Sequence, residues 1–140
     1  MRSRIQLCGV AGALLFLVGC AAKPIVVPAT SHQAVSVDQV KIYDAEPYKY
    51  EMLGNVELPM TPEMKFNAKG EYDPAMDALK AAAAAKGANG LLLKMDTSEI
   101  NGLAGVQYHG KFYQVGARHT PDGKKILVGK AIYVVEETKK

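Results

Sequence analysis

The opening of this chain constrains it more than any other stretch. Met1-Arg2-Ser3-Arg4 sets two positive charges ahead of an apolar run, Leu7 to Val18, broken only by small residues. A basic start, a short apolar stretch and small residues at a cleavage point make the layout of a secretory signal. Counted to Ala22 with both cysteines as apolar, the stretch is 16 residues long, short of the roughly 20 that a spanning helix needs. Gly9, Gly12 and Gly19 weaken a helix there further. An uncleaved membrane-spanning anchor is the alternative. Removal of residues 1–19 leaves enough chain for one domain. That domain must hold together without a disulfide, because the only cysteines are Cys8 and Cys20.

Leu17-Val18-Gly19-Cys20 resembles the lipobox of bacterial lipoprotein precursors: apolar, small or apolar, Gly or Ala, then Cys. The resemblance implies a diacylglycerol on the Cys20 sulfur, cleavage before Cys20 and acylation of the new amine. Cysteine suits that chemistry because its thiolate is a strong nucleophile near neutral pH. Several acyl chains, at about 0.8 kcal/mol per buried methylene, give stable rather than transient anchoring. Ala21-Ala22 lacks the Asp that keeps enteric-type lipoproteins at the inner membrane. The resemblance therefore implies the periplasmic face of the outer membrane, with the inner membrane second.

Charge narrows the partners. Of 17 basic residues Arg2 and Arg4 leave with the leader, so 15 face 14 acidic ones, a net of about +1. A nucleic-acid partner is not expected, since the clustered basic stripe such a surface needs is missing.

Residues 20–34 contain Pro24 and Pro28 and are expected to form the lipidated N-terminus and a flexible tether. Residues 35–137 are expected to fold as an α+β domain. Val35 to Tyr43 is β-branched and partly alternating, and Tyr48 to Leu58 alternates as well; both read as strands. Gly54 inside the second suggests a bulge or a close backbone approach. Asp73 as N-cap, Pro74 at the first helical position and Gly87 as the left-handed stop bracket a helix, Ala75 to Lys86. Its alanines, Ala81 to Ala85, suit close packing on a sheet. Leu91 to Met95 reads as a buried strand and Asp96 to Gly105 as a loop. Lys111 to His119 and Lys125 to Val135 form a hairpin around Pro121-Asp122-Gly123. The order ββαβββ predicts one helix on a largely antiparallel sheet of about five strands.

Three segments carry a second resemblance: Pro47 to Val56, Ala78 to Leu92 with its Gly87-Ala88-Asn89-Gly90, and Gly129 to Tyr133. In that order they resemble the small bacterial domains of the RcsF and YbjQ type, which include envelope stress sensors and lipoproteins. The resemblance covers about Lys49 to Val135 and implies a helix on a curved sheet. The YbjQ type carries a heavy-metal-binding label, which motivates a metal-binding alternative, although this chain has no domain cysteine and no clustered histidines to act as ligands.

Catalytic constellations are sparse. His32 falls in the tether, His109 in a Gly-flanked loop and His119 at a hairpin end, unlike the short spacings of metal ligands. Asp44 with Glu46, and Asp96 near Glu99, are carboxylate pairs in turns. Gly102-Leu103-Ala104-Gly105 lacks the Lys and Ser/Thr of a phosphate loop. Tyrosine is abundant instead, at seven residues, and supplies rigid contact area with a polar tip. Tyr108 and His109 are therefore the interface candidates. The expectation is a membrane-anchored, non-catalytic interaction or sensory module, with an envelope protein as possible partner and no cofactor. The alternative is a small-ligand or metal binder.

Overall fold

The computed structural model describes residues 23–61 and 73–140, so the leader, the lipobox and Tyr72 lie outside the described residues. Its elements in chain order are β1 (Ile25–Val27), a 3-10 turn (Val37–Gln39), β2 (Lys41–Tyr43), β3 (Lys49–Pro59), α1 (Asp73–Ala85), β4 (Gly90–Leu92), β5 (Gly102–Tyr108), β6 (Lys111–His119) and β7 (Lys125–Glu136). Together they make a single α+β domain, one α-helix on a seven-stranded mixed sheet.

β7 organises the sheet. It is apolar through most of its length and flanked on both sides, and such interior strands are expected to be nearly continuously apolar. β3 pairs with it antiparallel along one side, from Lys49↔Glu136 to Pro59↔Ile126. The other side is divided. The first part of β7 pairs with β6, from His119↔Lys125 to Gly116↔Val128, and the later part with β4, from Leu92↔Lys130 to Gly90↔Ile132. Gly129 lies at the branch point, where a Cβ would come 2.9 Å from Leu91 Cδ1. Beyond the branch, β5 pairs with β6 in one arm and β2 pairs parallel with β4 in the other. The sheet is thus forked.

Most of the core lies between the sheet and α1. Ala75, Met76, Leu79, Ala83 and Ala84 are buried along the helix and pack with Val56, Leu91, Val106, Val115 and Leu127. Small alanine side chains let the helix lie close, and complete burial of Leu79 and Met76 is worth about 1.5–3 kcal/mol each. A smaller cluster of Tyr50, Leu92 and Ile132 fills the opposite face. The helix ends as anticipated: Gly87 takes φ +80°, and the N–H groups of Gly87 and Ala88 donate to the carbonyls of Ala84 (2.9 Å) and Ala83 (3.1 Å). This is the Schellman arrangement. Gly54, at φ +137°, lies at the expected bulge between Met52 and Gly54.

The structure corrects the five-strand antiparallel arrangement in three places. Residues 20–34 were expected to be a free tether, yet Ile25–Val27 pairs parallel with Lys49–Glu51. Val37–Gln39 forms a 3-10 turn because Val35 and Val37 pack against the helix-side core, leaving only Lys41–Tyr43 as strand. Gly102–Tyr108 was expected to be mostly loop and is a full strand. Gly105 lies under the exposed Phe112 ring, which a Cβ there would meet at 2.7 Å and displace.

Candidate functional site

Two places gather polar and exposed apolar side chains. The first is the cleft of the fork. After β4 the chain crosses the face of the sheet opposite α1, and Met95 and Ile100 close over Gly116, where a Cβ would meet Ile100 Cγ2 at 2.8 Å. Lys130, next after the branch-point Gly129, holds this crossing down: its Nζ lies 3.6 Å from Asp96 Oδ2 and 3.4 Å from Glu99 Oε2. The Asp96–Glu99 carboxylates are therefore the counter-charges of a largely buried lysine. Glu46, of the other carboxylate pair, accepts from the Tyr50 hydroxyl at 3.0 Å and pairs with Lys94 at 3.3 Å. Burial, then that hydrogen bond, pushes the Tyr50 phenol up to about 12.

A groove of about 390 Å³ opens beside this crossing, lined by Asp44, Leu93, Met95, Leu103 and Phe112 among others. Leu103 and Phe112 are each 59% exposed. Lys111, 3.8 Å from Asp44, bridges its rim. Large apolar side chains left open to water in a concave setting mark a contact surface more often than isolated exposed ones do.

The second place is where residues 30–35 fold over the C-terminal end of α1. Glu51 is only 5% exposed. It accepts from the Thr30 backbone N–H (3.1 Å) and the Thr30 hydroxyl (2.8 Å) through Oε1, and from His32 Nε2 through Oε2. The His32 ring stacks on Tyr133 with centroids 3.8 Å apart and planes 13° from parallel. It can do so because Gly87 has no side chain, since a Cβ there would lie 2.5 Å from His32 Cβ. The Val35 N–H donates to the Ala84 carbonyl at 3.1 Å and completes the attachment. The His32 hydrogen bond, with help from Thr30 and against burial, holds the Glu51 carboxyl below its ordinary range.

Thr, His and Glu side by side invite comparison with a catalytic triad, and the geometry does not fit one. A relay needs the two ring nitrogens to face different partners. Here Nε2 alone meets both Glu51 and Thr30 Oγ1 (3.0 Å), while the Thr30 hydroxyl donates straight to the carboxylate. An ionised carboxylate only accepts, so Nε2 carries the proton and cannot act as base toward Thr30. The cluster is a clasp for the N-terminal segment.

The interface candidates separate. Tyr108 is 7% exposed; its hydroxyl donates to Asp77 Oδ1 at 2.6 Å and lies 3.5 Å from Lys80 Nζ, tying the β5–β6 hairpin to α1. It is a core residue and a correction to the expected surface role. His109 is exposed, with φ +49°, and with Gly110 at φ +75° makes the two-residue turn between β5 and β6. Left-handed backbone at both positions is the type I′ hairpin signature. His119 lies at the far end of β6, roughly 30 Å away along an extended strand, so the two histidines do not converge. Among the described residues no group of three or more His, Cys, Asp and Glu is placed to hold a metal, and no helix is long and apolar enough to cross a membrane. Compared with protein families, with curated proteins and with solved structures, the sequence finds no match.

Sequence reasoning missed the roles of His32 and Asn89. The Asn89 amide donates to the Val134 carbonyl (3.1 Å) and accepts from the Val134 N–H (2.6 Å). It thereby extends the β4–β7 ladder one residue beyond Gly90. The Gly-Ala-Asn-Gly run carried that signal, though it was legible there only as a helix stop.

Proposed function

We propose that this chain is a lipid-anchored lipoprotein of the bacterial envelope whose domain serves as a non-catalytic interaction or sensory module. The observation that carries the reading is Leu17-Val18-Gly19-Cys20 behind a basic, apolar leader, five positions ahead of the first strand. Attachment is through acyl chains on Cys20. The periplasmic face of the outer membrane is favoured, because Ala21-Ala22 carries no inner-membrane retention Asp. The module assignment is supported by the fork groove, with its exposed Leu103 and Phe112, and by a Thr30–His32–Glu51 cluster whose hydrogen bonds suit holding rather than turnover. The partner is an envelope protein that buries Phe112.

Mass spectrometry of the mature N-terminus tests the anchor, with acyl mass on Cys20 as the expected result. A photo-crosslinking residue at Phe112 in intact cells tests the module. A discrete protein adduct, lost when the probe is moved to Lys124, is expected; absence of any adduct from the groove refutes it. The groove volume also falls within the range of small-molecule sites, which keeps a small-ligand binder as the second reading. A ligand retained through purification and detected by native mass spectrometry would favour that alternative.

A further inference from the structure

Lipid attachment at Cys20 would leave this domain little freedom to stand away from its membrane. The Ile25 N–H already donates to the Tyr48 carbonyl at 2.7 Å, and the Tyr48 N–H to the Glu137 carbonyl at 3.0 Å. The start of β1, the approach to β3 and the close of β7 are thus stitched into one end of the sheet. From Cys20 to Ile25 is five positions, at most roughly 17–18 Å of extended chain. A free tether reaching Ala34 would have allowed nearly three times that.

The same end carries unsatisfied apolar surface. Among the described residues five large apolar side chains are strongly exposed, and two of them, Leu103 and Phe112, belong to the fork groove. The other three are Ile25 (43%), Val26 (55%) and Val135 (48%). Register places all three here: Ile25 pairs with Lys49, and Lys49 with Glu136. The charge is mainly positive, with Glu136 the unpaired acidic residue among the described residues of these segments. Lys23, Lys49, Lys139 and Lys140 belong to the segments that meet at this end, and none has an ion-pair partner among the described residues, whereas Glu137 is taken by Lys41 at 2.7 Å. Unpaired lysines around exposed aliphatic side chains match an anionic lipid surface. The short link keeps them within a few Debye lengths of it, about 8 Å each at physiological salt. Held that close, even a weak surface affinity is amplified by effective concentration.

We infer that this end of the sheet is a lipid-apposed surface, resting on the headgroups of the bilayer that holds the Cys20 acyl chains. The inference rests on the lipoprotein reading above and adds an orientation: β7 rises away from the membrane, and the Pro121–Lys124 turn lies at the far end, roughly 33 Å off along the strand.

The test uses the processed, full-length lipoprotein in vesicles of phosphatidylethanolamine and phosphatidylglycerol. With the Cys20 sulfur alkylated and the leader gone, Val135→Cys offers a single thiol for a fluorophore, and Lys124→Cys provides the distal control. A nitroxide-labelled headgroup is the quencher. Quenching at position 135 is expected to exceed that at 124 several-fold, and to fall toward the control value when the four lysines are replaced by glutamate. Equal quenching at the two positions, or a ratio indifferent to the charge reversal, with acyl mass present on Cys20, overturns the inference and leaves the lipoprotein reading standing. An N-terminus without acyl mass overturns both.

Discussion

Replacing Gly87 by alanine perturbs two things at once, and the structure allows them to be separated. The residue has φ +80°, a conformation that costs an L-residue with a side chain about 1–2 kcal/mol. In addition, its new Cβ would lie 2.5 Å from His32 Cβ and 2.7 Å from the His32 carbonyl oxygen. Backbone cannot swing aside as a flexible side chain does, so an overpacking term of about 1–3 kcal/mol is added. The total is about 2–5 kcal/mol. With an unfolding entropy of roughly 2.1 cal/mol/K per residue, a domain of this size loses about 4 °C for each kcal/mol. Gly87→Ala is therefore expected to lower Tm by about 8–20 °C. Gly123 is the matched control: its φ is +84° with nothing within 4 Å of the added Cβ, so Gly123→Ala carries the backbone cost alone, about 4–8 °C. Differential scanning calorimetry of both variants makes the comparison, and hydrogen exchange over residues 30–35 reads the detachment directly. Equal losses in the two variants, with unchanged protection of residues 30–35, would refute the packing of His32 on the helix end.

Three further outcomes are expected. Glu51 titrates below its ordinary value in the folded chain, so the stability it lends is present above the unfolded carboxyl pKa and is lost as pH falls through the lowered one. Exchange protection at Thr30 should collapse in that acid window in the native chain and show no such transition in Glu51→Gln. Asn89→Ala removes two hydrogen bonds to Val134 and should cost about 1–3 kcal/mol in urea unfolding, with Asn89→Asp no better because a carboxylate cannot donate to the Val134 carbonyl. Tyr50, raised from 10.0 to about 12 in the folded state, favours the folded chain fully below pH 10.0 and progressively less above it. Alkaline unfolding monitored by circular dichroism should therefore begin at higher pH in Tyr50→Phe.

The sequence made the middle and end of the fold legible because local and global signals agree there. The α1 stop at Gly87, the bulge at Gly54 and the β6–β7 hairpin each follow from a residue type in a position that needs it. The losses have physical causes. Ile25-Val26-Val27 sits between Pro24 and Pro28, which suggest an extended linker; an edge strand tolerates both, and parallel pairing leaves no turn signal behind. β5 was concealed by Gly102 and Gly105, which read as loop residues although the His119 and Phe112 rings lie against them in the sheet. The candidate site was the least legible part. His32 and Glu51 are 19 positions apart, and no periodicity links a linker residue to a strand residue. Tyr108 beside His109 looked like an exposed pair because a type I′ turn turns one outward and the other into the core.

The branch at Gly129 has a consequence for how the domain can vary. The β5–β6 arm is hydrogen-bonded to the rest of the sheet along the first part of β7, from Lys125 to Val128, and its inner face, with Val106, Val115 and Tyr108, packs in the core against α1. The elements at the other end of the sheet close their own ladder against the later part of β7. A hairpin attached this way is fixed along its length and open at its turn, where an added Cβ on Gly110 would meet nothing within 4 Å. Its His109-Gly110 tip should accept an inserted peptide or reporter while the rest of the protein keeps its footing.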